Sequence, residues 1–118
     1  MTESMFSTLI NLILPKELLD YFKVTDIQEH DNEVNFFLEE LHIVPEGYKK
    51  ENLLSKGFYP EIIIQDFPLR ERLVHLHIKR RKWEEKLTKK IVSRDWNIVA
   101  KGTRLTQEFA AFLKEILG

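Results

Sequence analysis

From residue 72 the chain reads Arg72-Leu73-Val74-His75-Leu76-His77-Ile78-Lys79-Arg80-Arg81-Lys82-Trp83. Val74, Leu76 and Ile78 fall on one face of an extended backbone, and His75, His77 and Lys79 on the other. A period of two is the pattern of a half-buried strand, so this stretch commits the chain to a sheet. Two further alternating runs, Val24 to His30 and Glu33 to Glu40, flank the turn signal His30-Asp31-Asn32-Glu33 and read as a hairpin with Val34, Phe36 and Leu38 on one face. Glu61-Ile62-Ile63-Ile64-Gln65-Asp66-Phe67 is a β-branched strand that Pro68 is expected to end. Glu84 to Lys90 reads as a polar loop. Ile91 to Val99 reads as the following strand, a hairpin partner. Leu41 to Gly57 is expected to be irregular, with turns at Pro45-Glu46-Gly47 and Ser55-Lys56-Gly57.

Helical spacing is confined to the ends. Phe6, Leu9, Ile10, Ile13 and Leu14 recur at three- and four-residue intervals. Pro15 breaks that run and suits the start of a second short helix through Phe22. Leu105, Phe109, Phe112, Leu113 and Ile116 form a C-terminal stripe that Thr103 or Thr106 is placed to cap. The expected architecture is α+β: short N-terminal helices, about five mostly antiparallel strands in meander or hairpin order, and a C-terminal helix. A length of 118 residues suits one domain, 1–118.

Composition narrows the function classes. The chain has no cysteine, which excludes disulfides, thiol catalysis and cysteine-ligated zinc or iron–sulfur sites. An apolar fraction of 43% with no run long enough for a span excludes a disordered chain and a helical membrane protein. The N-terminus lacks the basic start and small-residue cut site of a secretory signal, so a cytoplasmic protein is expected. The net charge of −1 hides a split. Residues 1–69 carry 5 Lys/Arg and 13 Asp/Glu, a net of −8, and residues 70–118 carry 13 and 6, a net of +7. Such a split points to a polyanion-facing surface on one side.

That surface falls on the strand-loop-strand region after Ile78. Lys79, Arg80, Arg81, Lys82, Lys86, Lys89, Lys90, Arg94, Lys101 and Arg104 are the candidate phosphate contacts, with Arg80 and Arg81 as candidate base readers. The plain alternative is a solvated hairpin whose charges keep an edge soluble. Trp83 and Trp96 flank the loop, either to stack on bases or to pack the hairpin. His75 and His77 share a strand face, but a zinc site needs three or four ligands and no others stand at metal-binding spacing. They read as ordinary strand histidines, and no metal or cofactor is expected. Glu39-Glu40, Glu84-Glu85 and Asp66 are the carboxylates to weigh for catalysis. Adjacent strand residues point to opposite faces, so neither pair forms an acid/base dyad, and no Gly-rich phosphate loop is present. No enzyme is expected.

An ordered set of stretches resembles the N-terminal-region proteins of bacterial insertion-sequence transposases that are split over two reading frames. The set is Ser55-Lys56-Gly57-Phe58-Tyr59-Pro60-Glu61, Ile64-Gln65-Asp66-Phe67-Pro68-Leu69-Arg70, Val74 to Trp83, Asp95-Trp96-Asn97 and Val99 to Phe109. The resemblance covers about Leu14 to Leu117 and implies a non-catalytic accessory part that helps bind the element's terminal repeats. The catalytic acidic triad would lie on a separate chain. Larger relatives carry a Cys-x-x-Cys zinc knuckle in the turn between the basic strands. Here that turn reads Trp83-Glu84-Glu85-Lys86-Leu87-Thr88-Lys89-Lys90 and has no cysteine, so zinc is not carried over. The expected partners are double-stranded DNA, the separate catalytic chain and a second copy of this chain, with no membrane. A second reading keeps only the protein partner: the acidic half and the C-terminal helix dock on the catalytic chain, and the basic hairpin stays solvated.

Overall fold

A computed structural model of the chain describes residues 3–94. The expected strand from Ile91 to Val99 is extended only over Ile91–Val92, and its part beyond Arg94, the C-terminal helix, Trp96, Lys101 and Arg104 lie outside the described residues. Helix α1 spans Glu3–Ile13 and α2, a single turn, spans Lys16–Leu19, with Pro15 between them. Seven strands follow: β1 (Phe22–His30), β2 (Glu33–Glu40), β3 (Leu53–Phe58), β4 (Ile62–Leu69), β5 (Arg72–Lys79), β6 (Arg81–Glu85) and β7 (Ile91–Val92). The described residues are α+β in class, but strands dominate.

The first sheet has the order β1-β2-β5-β4. It is two hairpins laid side by side, with β2 and β5 parallel at the centre. The register explains the parallel pairing. Val34 lies beside Val74, Phe36 beside Leu76 and Leu38 beside Ile78, so the two apolar triplets merge into one face. Ile64 from β4 joins them, and Ile10 of α1, Leu14 of the link and Leu18 of α2 cover them. Leu76 and Ile78 are fully buried. The β4–β5 turn is Arg70-Glu71, with φ of 49° and 66°, the conformation of a type I′ turn that matches the twist of its strands.

After Lys79 the chain leaves this sheet and enters a second one, ordered β3-β6-β7. Its core is Leu53, Trp83 and Val92, with Val44 packed against them. The alternating run from Arg72 to Trp83 is therefore not one strand but two, divided at Arg80. The break has a cause. The Arg81 N–H donates to Glu40 Oε1 at 3.1 Å, and its guanidinium donates to the Glu40 carbonyl and to Ser55 Oγ. These bonds tie the chain to the end of β2 and turn it out of the first sheet.

Other expectations need correction. Pro68 does not end β4. The strand lies at the sheet edge and its register with β5 shifts between Asp66 and Leu69, where a missing N–H is tolerated. The stretch to Gly57 is not wholly irregular, because β3 pairs with β6. Gly57, at φ 82°, sits in the register shift of that pair, a conformation open to glycine. The charge halves do not form two faces either. The acidic half contributes β2 and β3, which pair with β5 and β6 of the basic half, and Glu29–Arg72, Glu40–Arg94, Glu46–Arg94 and Lys56–Glu84 pair across the division. No helix among the described residues is long and apolar enough to cross a membrane.

Candidate nucleic-acid interface

The fold divides the basic residues into those that build it and those left at its surface. Arg94 is 2% exposed. Its Nη1 donates to Glu46 Oε1 at 2.6 Å, its Nη2 to the Ile43 carbonyl at 2.7 Å and its Nε to Glu40 Oε2 at 3.4 Å. Arg81 spends its guanidinium on the Glu40 carbonyl and Ser55 and lies over the Phe58 ring. Trp83 is buried in the second core. Arg94 and Trp83 are buried, so phosphate contact by Arg94 and base stacking by Trp83 are not open in this fold, while Arg81 is half-buried with its guanidinium engaged. Arg80 and Lys82 both stand over the Tyr59 ring at 5.3 Å, a pair of cation–π contacts that holds their heads together. Lys79 is half-buried on the first sheet, where it lines a shallow depression with Thr25, Phe37, Glu39, Glu61 and His77.

Lys86, Lys89 and Lys90 remain exposed on the turn between β6 and β7. The turn is pinned. The Lys89 N–H donates to the Glu85 carbonyl and the Glu85 N–H to the Lys90 carbonyl, both at 2.8 Å. Thr88 Oγ1 donates to Glu85 Oε1 at 2.9 Å. The Lys86 N–H reaches the Asn52 carbonyl at 2.9 Å, which sets the turn from Lys49 to Asn52 beside the base of this hairpin. Lys49 and Lys50 therefore join the cluster. Neither stood out in the sequence, because a two-lysine signal in an acidic half carries no spatial information. None of these five lysines has an ion-pair partner among the described residues. Two nearby acids are occupied, Glu46 by Arg94 and Glu84 by Lys56.

Lys89 has φ 62°, a left-handed conformation that disfavours side chains with a Cβ. Lys89→Gly is expected to raise stability by about 0.5 to 1 kcal/mol, the relief of that strain less the extra freedom of glycine in the unfolded chain. Urea unfolding checks the gain. A polyanion-binding assay on the same variant is expected to show weaker binding, so the cation is kept at the expense of the turn.

The two histidines engage a hydrogen-bond network on the face of the first sheet opposite the core. His75 Nδ1 lies 3.0 Å from Glu33 Oε1, and His77 bridges Glu61 Oε1 at 2.8 Å and Asn35 Oδ1 at 2.7 Å. His77 also stacks on Phe37 with ring centroids 4.3 Å apart. Hydrogen bonds from Asn35 and then His75 hold the Glu33 carboxyl below its ordinary range. Among the described residues no three His, Asp or Glu side chains are placed to share a metal ion. No protein-family model matches the chain, and neither does any curated protein or solved structure.

Proposed function

We propose that this chain is a non-catalytic DNA-binding accessory protein that grips duplex backbone through the lysine-rich end of its second sheet. That is the role implied by its resemblance to the N-terminal proteins of two-frame insertion-sequence transposases, with the element's terminal repeats as the duplex. The observation that carries the reading is the set of five unpaired lysines, Lys86, Lys89 and Lys90 on the pinned β6–β7 turn and Lys49 and Lys50 on the turn bonded to its base. Each phosphate a lysine neutralises releases counterions, so such a cluster binds nucleic acid without needing base contacts. Arg80 and Lys82 stand at the other end of β6, over Tyr59, and Lys101 and Arg104 belong to the same basic segment of the sequence.

The test is a fluorescence titration of labelled terminal-repeat and scrambled duplexes at several salt concentrations. Log affinity is expected to fall with log salt at a slope of about −4 to −5 if all five lysines engage. Replacing Lys86, Lys89 and Lys90 by glutamine is expected to make that slope shallower by about 3. Absence of salt-dependent binding, or a slope the triple variant leaves unchanged, sinks the reading. A purely protein-docking role has its own observation. Helix α1 exposes Met5, Phe6, Leu9, Leu12 and Ile13 beside the stripe it buries. A pull-down of the separate catalytic chain that survives hairpin neutralisation, with no DNA affinity, favours that alternative.

A further inference from the structure

Leu87 has no role in the fold. It is 91% exposed, the most exposed large apolar side chain among the described residues. It sits in the β6–β7 turn, a place where glycine, asparagine, aspartate or serine is the usual choice. The other strongly exposed apolar residues, Leu12, Ile63 and Met5, stand in a helix or strand with apolar neighbours. Leu87 instead stands among Lys86, Thr88 and Lys89, on a turn whose shape is set by three backbone hydrogen bonds and one from Thr88.

We infer that Leu87 is a wedge that this hairpin inserts between base pairs from the minor groove, so that the protein kinks the duplex it binds. The inference rests on the DNA-binding reading above and deepens it. β-ribbons dock in the minor as well as the major groove, and the lysines of this turn then meet the phosphates on either side. An apolar side chain at such a tip unstacks one step and bends the helix by roughly 20–90° toward the major groove. A pinned turn matters here. A floppy tip would fold its leucine back onto the protein, whereas this one holds the side chain in solvent before any DNA arrives. Charge selects the partner: an apolar tip ringed by unpaired cations fits a polyanion with an apolar interior, which the base stack of a duplex supplies.

The experiment measures the end-to-end distance of a doubly dye-labelled duplex by energy transfer, alongside the salt titration, for the full chain. The wild type is expected to shorten that distance. Leu87→Ala is expected to abolish the shortening and leave the salt slope unchanged, since no phosphate contact is lost. Leu87→Phe is expected to keep the bend. Because Leu87 packs against nothing, these variants leave the fold intact. Salt-dependent binding without bending, or a bend that persists in Leu87→Ala, overturns the wedge and leaves DNA binding standing. No binding by the wild type removes the underlying reading and the wedge with it. Leu87-dependent partitioning onto phosphatidylserine vesicles, with no duplex bending, assigns the tip to a membrane surface and overturns the wedge as well.

Discussion

Arg94→Ala is expected to destabilise the protein by about 3–5 kcal/mol, the cost of leaving a buried charge without its partner. Arg94 fills a site between β2 and the loop that follows it. Its guanidinium serves Glu46, the Ile43 carbonyl and Glu40, and lies 4.9 Å from the Tyr21 ring centre. Glu40 is 1% exposed, and without Arg94 its carboxyl keeps the Arg81 N–H. Water cannot replace the lost donor unless the loop opens. Arg94→Lys is expected to recover only part of the loss, because one ammonium cannot satisfy three acceptors set for a planar fork. The double variant Glu40→Leu/Arg94→Met is expected to cost less than Arg94→Ala, since it leaves no stranded charge. Urea unfolding of the three variants checks the order. A loss below about 1 kcal/mol for Arg94→Ala would mean the pair behaves like a surface ion pair.

The same titration across pH separates the two perturbed carboxyls. Burial pushes Glu40 above its ordinary range, and the Arg81 N–H and the Arg94 charge pull it only part of the way back. A raised value in the folded state means the folded chain holds this proton more tightly than the unfolded chain. The contribution of Glu40 is then complete below the unfolded value and is lost as pH rises through the folded one. Glu33 runs the other way: its contribution is present above the unfolded value and is lost as pH falls through the lowered folded one. Glu40→Gln keeps the shape and removes the titration. Relative to that variant, the wild type is expected to lose stability as pH rises.

What could be read from the sequence was local. The Asp31-Asn32 turn and the alternation on either side define β1 and β2 to within a residue or two, because turn chemistry and period act over neighbouring positions. The facing triplets of β2 and β5 were legible as strand faces, but their parallel pairing was not, since nothing local says which strands meet. On α1 the apolar arc is wider than the face that packs. Ile10 is buried, while Phe6, Leu9 and Ile13 are exposed. The roles of the arginines are illegible for the same reason. Arg94 and Arg81 look like surface cations until Glu40 is brought to them across 54 and 41 residues of chain. The hairpin lysines Lys86, Lys89 and Lys90 were legible because a polar turn between two strands is exposed whatever the strands pack against. Lys49 and Lys50 became visible only through the bond from Lys86 to Asn52.

Trp83→Ala is expected to cost about 3–5 kcal/mol, and the loss is expected to fall on one sheet. The first sheet rests on eleven buried side chains, the second on Leu53, Trp83 and Val92. Trp83 is the middle of that second core: Ser55 flanks it on β3, Val92 on β7, and the His42 ring lies 4.9 Å away. Removing it leaves Leu53 and Val92, with the partly buried Val44, to hold three short strands. Local opening of the second sheet then costs little, while the first sheet keeps its core. Hydrogen exchange reads this directly. Amides in β3 and β6 are expected to lose protection, while those of β2 and β5 around Phe36 and Leu76 keep theirs. Trp83→Phe is expected to cost less, because phenylalanine fills most of the volume and removes an Nε1–H that is buried without an acceptor among the described residues. Duplex binding is expected to disappear in Trp83→Ala although Trp83 touches no solvent, since the lysine turn depends on β6 and β7 for its shape. Equal loss of protection in both sheets contradicts this division and makes the bonds of Arg81 and Arg94 to Glu40 the coupling that joins the two cores into one cooperative unit.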